Sequence, residues 1–292
     1  MGVHLDRAEI LLQQSRFELA EKELREELTT DPENPLAHAW LSLCLVELRQ
    51  YEEAVKESDL AIHIAPDSSY VHYVQARVFF KRYKEYRRTL NDVKQLQKAE
   101  AAIAEAIRLA PENPDCFVFL ANLHLERAYR REQNLESITV SDFFAGKDPH
   151  KDCYLKALEA VDRGLRIDPE HSDCLDTRTV ILHKLGRKQQ AIATVKAALT
   201  SDPENAMALN NLGWLLLDED ENLEALKNFR AALQIAPQLE NSRLGVIEAY
   251  KRRYLIYRLL SITTKMGRII GCFPLIIVIV EFITSAFEMN SS

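Results

Sequence analysis

Glycine is scarce in this chain, with 8 in 292 residues, and none of its five cysteines stands in a CxxC pair. A sheet-rich protein of this length needs more turn glycine, so a composition of 47% hydrophobic and 28% charged residues points instead to long helices. Cys44, Cys116, Cys153, Cys174 and Cys272 are odd in number. They read as small apolar residues of a reducing compartment, and neither a disulfide framework nor a zinc site is expected. Phosphate-cradling, nucleophile-elbow and zinc-protease motifs (GxGxxG, GxxxxGK[ST], GxSxG, HExxH) are missing. The eight histidines never pair at i, i+3 or i+4. No metal, no cofactor and no catalysis are therefore expected. His171 to Cys174 (HSDC) places an imidazole near a thiol, but it sits at a junction where Ser172 and Asp173 read as ordinary helix caps.

What the chain has is a period. Pro32, Pro66, Pro111, Pro169, Pro203 and Pro237, each preceded by Asp or Ala, are spaced by 34, 45, 58, 34 and 34 residues. The unit is 34 residues, and two copies carry insertions; a period of this size means one supersecondary element copied along the chain. With the proline numbered 32, unit position 20 is Ala20, Ala54, Ala99, Ala157, Ala191 and Ala225. Position 8 is Ala8, Ser42, Ala76, Ala121, Thr179 and Gly213, and position 27 is small in every copy except for Glu27. Small residues there let two helices approach closely, so the unit is a helical hairpin. Asn34 before Pro35 and Asn113 before Pro114 supply a cap and a proline at the first helical position.

This pattern resembles the tetratricopeptide repeat family over about residues 1 to 240. Leu212 with Gly213, Ala225, Phe229, Ala232 and Pro237 of the last copy stand at the family's motif positions, and Phe17, Tyr51 and Tyr154 fill the aromatic place that opens the second helix. The resemblance implies an all-α fold, a right-handed superhelical solenoid of six hairpins (about 1–34, 35–68, 69–113, 114–171, 172–205 and 206–239). One elongated unit is expected, because repeats bury a continuous core by stacking. A basic capping helix should follow over 241–265, covering the last hairpin with Leu244, Val246, Ile247 and Tyr250, and then a hydrophobic tail helix over 266–292.

The same resemblance implies a concave groove lined by first helices, which holds a peptide or helix of a partner protein. Carried onto this sequence, its contact residues are Tyr70, Tyr73, Arg77, Phe80, Lys81, Asn122, His183, Asn210 and Trp214. Exposed Tyr, Trp and Arg anchor interfaces because they bury much area with few rotors. The acids Asp173, Asp176 and Asp218 share the implied lining, so a partner with one or two basic residues is expected. They also argue against a clamp for a chaperone's terminal carboxylate.

Charge divides the chain. Residues 243–292 carry seven basic and three acidic side chains, and the preceding 242 carry 30 and 41. The acidic repeats disfavour nucleic acid, which needs a basic surface. Residues 269–287 form the most apolar stretch, about the roughly 20 residues needed to cross a bilayer. Pro274 interrupts it, and Glu281 would cost about 2.5 to 3.5 kcal/mol at a helix centre. A membrane anchor is the favoured reading, with Lys251, Arg252, Arg253, Arg258, Lys265 and Arg268 toward headgroups and Ile276, Ile277 and Ile279 in lipid. An interfacial helix, or a cap or self-association surface on a soluble adaptor, are the alternatives. The opening MGVHLDRAEILLQ lacks a basic region followed by an apolar run, so no secretory leader is expected and the repeats should face the cytosol.

Two insertions break the regularity. Residues 81–98 hold seven basic and two acidic side chains and read as hairpin helices lengthened by about a turn and a half each. Residues 130–152 include Phe143 and Phe144, expected to pin a loop to the stack or to offer a docking patch.

Overall fold

The computed structural model describes residues 2–86, 92–132 and 149–253. The expected tail 266–292, together with Phe143, Phe144, Arg258, Lys265, Arg268, Ile276, Ile277 and Ile279, lies outside them. Among the described residues there are thirteen helices and no strand: α1 Val3–Gln13, α2 Phe17–Thr30, α3 Pro35–Glu47, α4 Tyr51–Ile64, α5 Ser69–Tyr86, α6 Asp92–Leu109, α7 Pro114–Glu132, α8 Pro149–Ile167, α9 Ser172–Lys184, α10 Lys188–Ser201, α11 Ala206–Asp218, α12 Asn222–Ile235 and α13 Glu240–Arg253. Packing groups the chain into two compact units, residues 1–187 and 188–292. In the first, every helix from α2 to α8 packs on the one before and the one after it, and α3 also meets α5 as α7 meets α9.

The hairpins close where the small residues are. All six position-20 alanines are fully buried, as are Ala8, Ser42, Ala76 and Ala121 of position 8. Glu27, the departure at position 27, is itself buried, and its carboxylate lies against Gly2 at the start of α1, so closely that a Cβ there would clash. The positive end of the α1 dipole suits that negative charge.

Turn chemistry repeats with the same fidelity. Position 15 is left-handed in every copy without an insertion: Ser15 (φ 57°), Arg49 (63°), Gly186 (71°) and Asp220 (60°). The next amide then reaches back five residues, as Arg16 N to Leu11 O at 2.9 Å, Gln50 N to Leu45 O at 2.7 Å, Arg187 N to Leu182 O at 2.8 Å and Glu221 N to Leu216 O at 3.0 Å. This is the bond pattern that satisfies the last carbonyls of a helix when it ends on a left-handed residue. At the other end, Asn34 Oδ1 accepts from the amides of Leu36 and Ala37, both at 3.1 Å, and Asn205 Oδ1 from Ala208 N at 2.8 Å. His171, rather than Ser172 or Asp173, caps α9, its Nδ1 accepting from Cys174 N at 3.3 Å.

The repeating proline has a second use. Its carbonyl accepts from the side chain six residues on, at unit position 4 of the next copy: His38 Nε2 to Pro32 O at 2.9 Å, His72 Nε2 to Pro66 O at 2.8 Å, and Arg243 Nη2 to Pro237 O at 2.6 Å. These three junctions are thus tied to the first turn of the helix that follows.

Residues of the first insertion lengthen both helices of their hairpin: α5 and α6 have 18 residues each, against 13 and 14 in α3 and α4. The extension is anchored by Tyr83, wholly buried, whose hydroxyl donates to Glu126 Oε1 of α7 at 2.9 Å. Lys84 Nζ lies 2.9 Å from Glu126 Oε2, and the Arg130 guanidinium lies 5.6 Å from the centre of the Tyr83 ring. Burial raises the Tyr83 phenol to about 12.

In the second unit, α11 packs on α10, α12 and α13. Phe229 of α12 is fully buried between Gly213 of α11 and Gly245 of α13, where an added Cβ at either glycine would clash with its ring. The expected capping helix is present, but two of its four expected cover residues face outward. α13 seats Ser242, Gly245 and Ala249, with Val246 and Tyr250 alongside, while Leu244 and Ile247 stay about half exposed. A helix that turns glycine and alanine toward a phenylalanine ring must turn the residues between them outward.

Candidate functional site

The aromatic and basic face of α5 is built by its helical register. Tyr70, Tyr73, Arg77, Phe80, Lys81 and Lys84 follow one another at spacings of three, four or one, and the Val71, Val74, Val78 side packs into the core. Tyr70 is 43% exposed and its hydroxyl accepts from Trp40 Nε1 of α3 at 2.9 Å. Tyr73 stands edge-to-face on Phe119 of α7, with ring centres 5.8 Å apart, and Phe80 meets the same Phe119 ring at 5.6 Å. Both tyrosine hydroxyls titrate above the usual range, chiefly because of burial, though Arg77 opposes the shift in each. Arg77 lies 5.8 Å from the Tyr73 ring centre, and Lys84 lies 5.0 Å from that of Phe80.

Five of the implied groove residues therefore share one helix. Asn122 stands on α7 at the unit position that Arg77 occupies on α5, partly exposed, and His183 lies near the end of α9. Asn210 and Trp214 lie on α11 in the second unit. Asn210 is only 2% exposed, and its Oδ1 accepts from Ser242 Oγ of α13 at 3.0 Å. Trp214 is partly open and stands edge-to-face on Phe229 at 5.3 Å. Trp40 and Phe119 were not legible as site residues. They share unit position 6, outside the register assigned to the groove, and only the packing of α3, α5 and α7 brings them beside α5.

The basic run on α5 is largely neutralised within the fold. Lys81 pairs with Glu47 at 2.9 Å, Arg82 with Glu52 at 2.6 Å and Lys84 with Glu126 at 2.9 Å. On α13, Lys251 is exposed, whereas Arg252 donates to Leu217 O at 2.6 Å and pairs with Glu248 at 3.3 Å. The Arg253 side chain lies outside the described residues. In the HSDC stretch Cys174 is fully buried, and burial pushes its thiol up to about 12, against the lowered value of reactive cysteines. Among the described residues no cluster of three metal-ligating side chains occurs, and no helix is long and apolar enough to cross a membrane.

Hairpins repeated on a 34-residue period, with small residues at their contacts, define a helical-repeat protein. Within that class, residues 3–78 and 182–240 each match the tetratricopeptide repeat family, and the chain is a tetratricopeptide repeat protein. Over 124 residues, 42% of this chain, it is 33% identical to the N-terminal acetyltransferase A complex auxiliary subunit NAA15 of Arabidopsis thaliana, and it spans 13% of that relative's length. Among solved structures it is similar to PilF of Pseudomonas aeruginosa, with TM-score 0.57 and 16% identity over 82% of this chain and 94% of that one. It is also similar to a chain of the APC/C hetero-tetramer Cut9–Hcn1, with TM-score 0.59 and 11% identity over 84% of this chain and 42% of the other. At those identities the likeness is one of fold. The tetratricopeptide repeat fold suggests a protein–protein interaction scaffold, and repeats of this family are typically non-catalytic.

Proposed function

We propose that this protein is a non-catalytic scaffold that holds a peptide or helix of a partner protein against the first helices of its repeats. The observation that carries the reading is the α5 face, where Tyr70, Tyr73 and Phe80 keep partly open rings fixed by Trp40 and Phe119. Rigid aromatics of this kind supply contact area at little entropic cost. The Arabidopsis relative is named as an auxiliary subunit of a complex, and the same kind of subunit role is proposed here. Cross-linking mass spectrometry on the purified assembly tests it: partner cross-links cluster around α5 and α7, and Tyr73→Ala removes the partner while leaving the helical circular-dichroism signal. A partner retained at wild-type level by Tyr73→Ala and Trp214→Ala variants would refute the groove.

The scaffold is further proposed to sit on the cytoplasmic face of a membrane, tethered by residues 266–292. The support is the sequence alone: an apolar stretch of about one bilayer span next to a region of net positive charge. Alkaline carbonate washing of membranes from expressing cells decides it. Retention in the pellet is expected; release into the supernatant would leave a soluble adaptor associating through that segment.

A further inference from the structure

The first helices of the later hairpins, with the capping helix, bury the same two positions. Unit position 10 is Cys44, Val78, Leu123, Ile181, Leu215 and Ala249, none more than 2% exposed, and position 3 is as deeply buried in all six. Each of those helices packs on the second helix of the hairpin before it. In α1 the two positions are Val3 and Ile10, and they are 64% and 54% exposed. The α1 sequence thus keeps the apolar spacing of an internal helix and leaves it open. Between them, where α3 has Trp40 and Leu41, α1 has Asp6 and Arg7, both exposed. Residues 3, 6, 7 and 10 share one face of a helix. The carboxylate near Arg7, on Glu23, is 3.9 Å away and already engaged by His4 Nδ1 at 2.7 Å.

We propose that this face of α1 pairs with the same face of a second copy of the chain, the two helices running antiparallel about a two-fold axis. The face is self-complementary. Centred between Asp6 and Arg7, an antiparallel pairing sets Val3 of each copy against Ile10 of the other, and Asp6 of each against Arg7 of the other. Every apolar group then meets an apolar group and every charge its opposite, twice over, as a closed two-fold interface requires. A parallel pairing in register sets Asp6 on Asp6 and Arg7 on Arg7, which like-charge repulsion opposes. One pair of helices covers less than the roughly 800 Å² per partner of a standard interface, so the dimer is reversible, with a dissociation constant in the micromolar range. Two copies joined in this way make the proposed scaffold bivalent, and a partner with two recognition segments gains avidity.

The test uses the full chain in density-matched detergent, its mass followed by sedimentation velocity over a concentration series. A monomer–dimer transition is expected, weakened about tenfold or more by Ile10→Glu and by Asp6→Arg. Adding Arg7→Asp to Asp6→Arg exchanges the charges and should restore the dimer. The helical circular-dichroism signal should hold in every variant, because these side chains are exposed. In a Cys272→Ser background, chains carrying Val3→Cys should form disulfides on oxidation with chains carrying Ile10→Cys. Neither should link to its own kind, since like residues of an antiparallel pair lie about two turns apart, beyond the roughly 7 Å between Cα atoms that a disulfide bridges. A chain that stays monomeric to about 100 µM overturns the proposal. So does association that the α1 variants leave within about twofold of wild type, as self-association through residues 266–292 would. Val3→Cys chains linking to one another, or exchanged charges that fail to restore the dimer, overturn the antiparallel pairing; none of these results touches the groove reading.

Discussion

His38 and Glu57, nineteen residues apart on α3 and α4, meet with Nδ1 2.6 Å from Oε2 while His38 Nε2 donates to the carbonyl of Pro32. An imidazole whose two nitrogens both face acceptors is favoured in its cationic form. Its pKa is accordingly raised, first by the Glu57 bond and then by the Pro32 bond, against the opposing effect of burial. His4 and Glu23 repeat the pair one copy earlier, at 2.7 Å.

A folded-state pKa above the unfolded value of about 6.5 makes this contribution complete below that pH and lost as pH rises through the folded value. The melting temperature should therefore fall on going from about pH 6 to about pH 8. In His38→Gln, measured by circular dichroism across the same range, that slope should be shallower. An unchanged slope would show that His38 is neutral in the fold.

Replacing Gly186 by Ala places a Cβ at φ 71°, a conformation that costs an L-residue about 1 to 2 kcal/mol. Ser15→Gly makes the opposite change at φ 57° and should gain up to about 1 kcal/mol. Urea denaturation of both variants would read the two shifts with opposite signs.

Phe229→Ala should cost about 3 to 5 kcal/mol, because the ring fills the gap that Gly213 and Gly245 leave. Gly213→Ala overfills the same gap, with a Cβ 2.6 Å from the ring, and should cost about 1 to 3 kcal/mol. Combining the two should be less damaging than their sum, a non-additivity that thermal unfolding can resolve.

Cys44, Cys116, Cys153 and Cys174 are buried, and burial raises Cys44 and Cys174 to about 12 and Cys116 to about 11. Iodoacetamide at neutral pH should leave all four unmodified in the native protein and label them in guanidinium, as peptide mass spectrometry would report. Labelling of Cys174 in the native state would mean that the α8–α9 junction opens.

The hairpin was legible at the level of single residues. Six prolines and six buried alanines are local requirements, each set by a backbone angle or a Cβ volume, and so they are written into the linear order, whereas the left-handed turn residue held by Ser15, Arg49, Gly186 and Asp220 showed only in the structure. The proposed groove face was less legible. Tyr70, Tyr73 and Arg77 could be placed on it by register alone, but Asn210 proved to be sealed beneath Ser242, and Trp40 and Phe119 joined it from outside that register.

By itself, then, the amino-acid order determined an all-α chain of repeated hairpins, where each hairpin turns and which residues its helices share. Tertiary structure alone decided which charges remain free. Lys81, Arg82, Lys84 and Arg77 are alike as letters on one helix. Only the carboxylates brought by other helices, Glu47, Glu52 and Glu126, distinguish the three that are neutralised from the one that is not. The physical reason is range: a turn or a close helix contact is settled within a few residues, whereas an ion pair depends on side chains some 30 to 40 positions away that meet only when the hairpins stack.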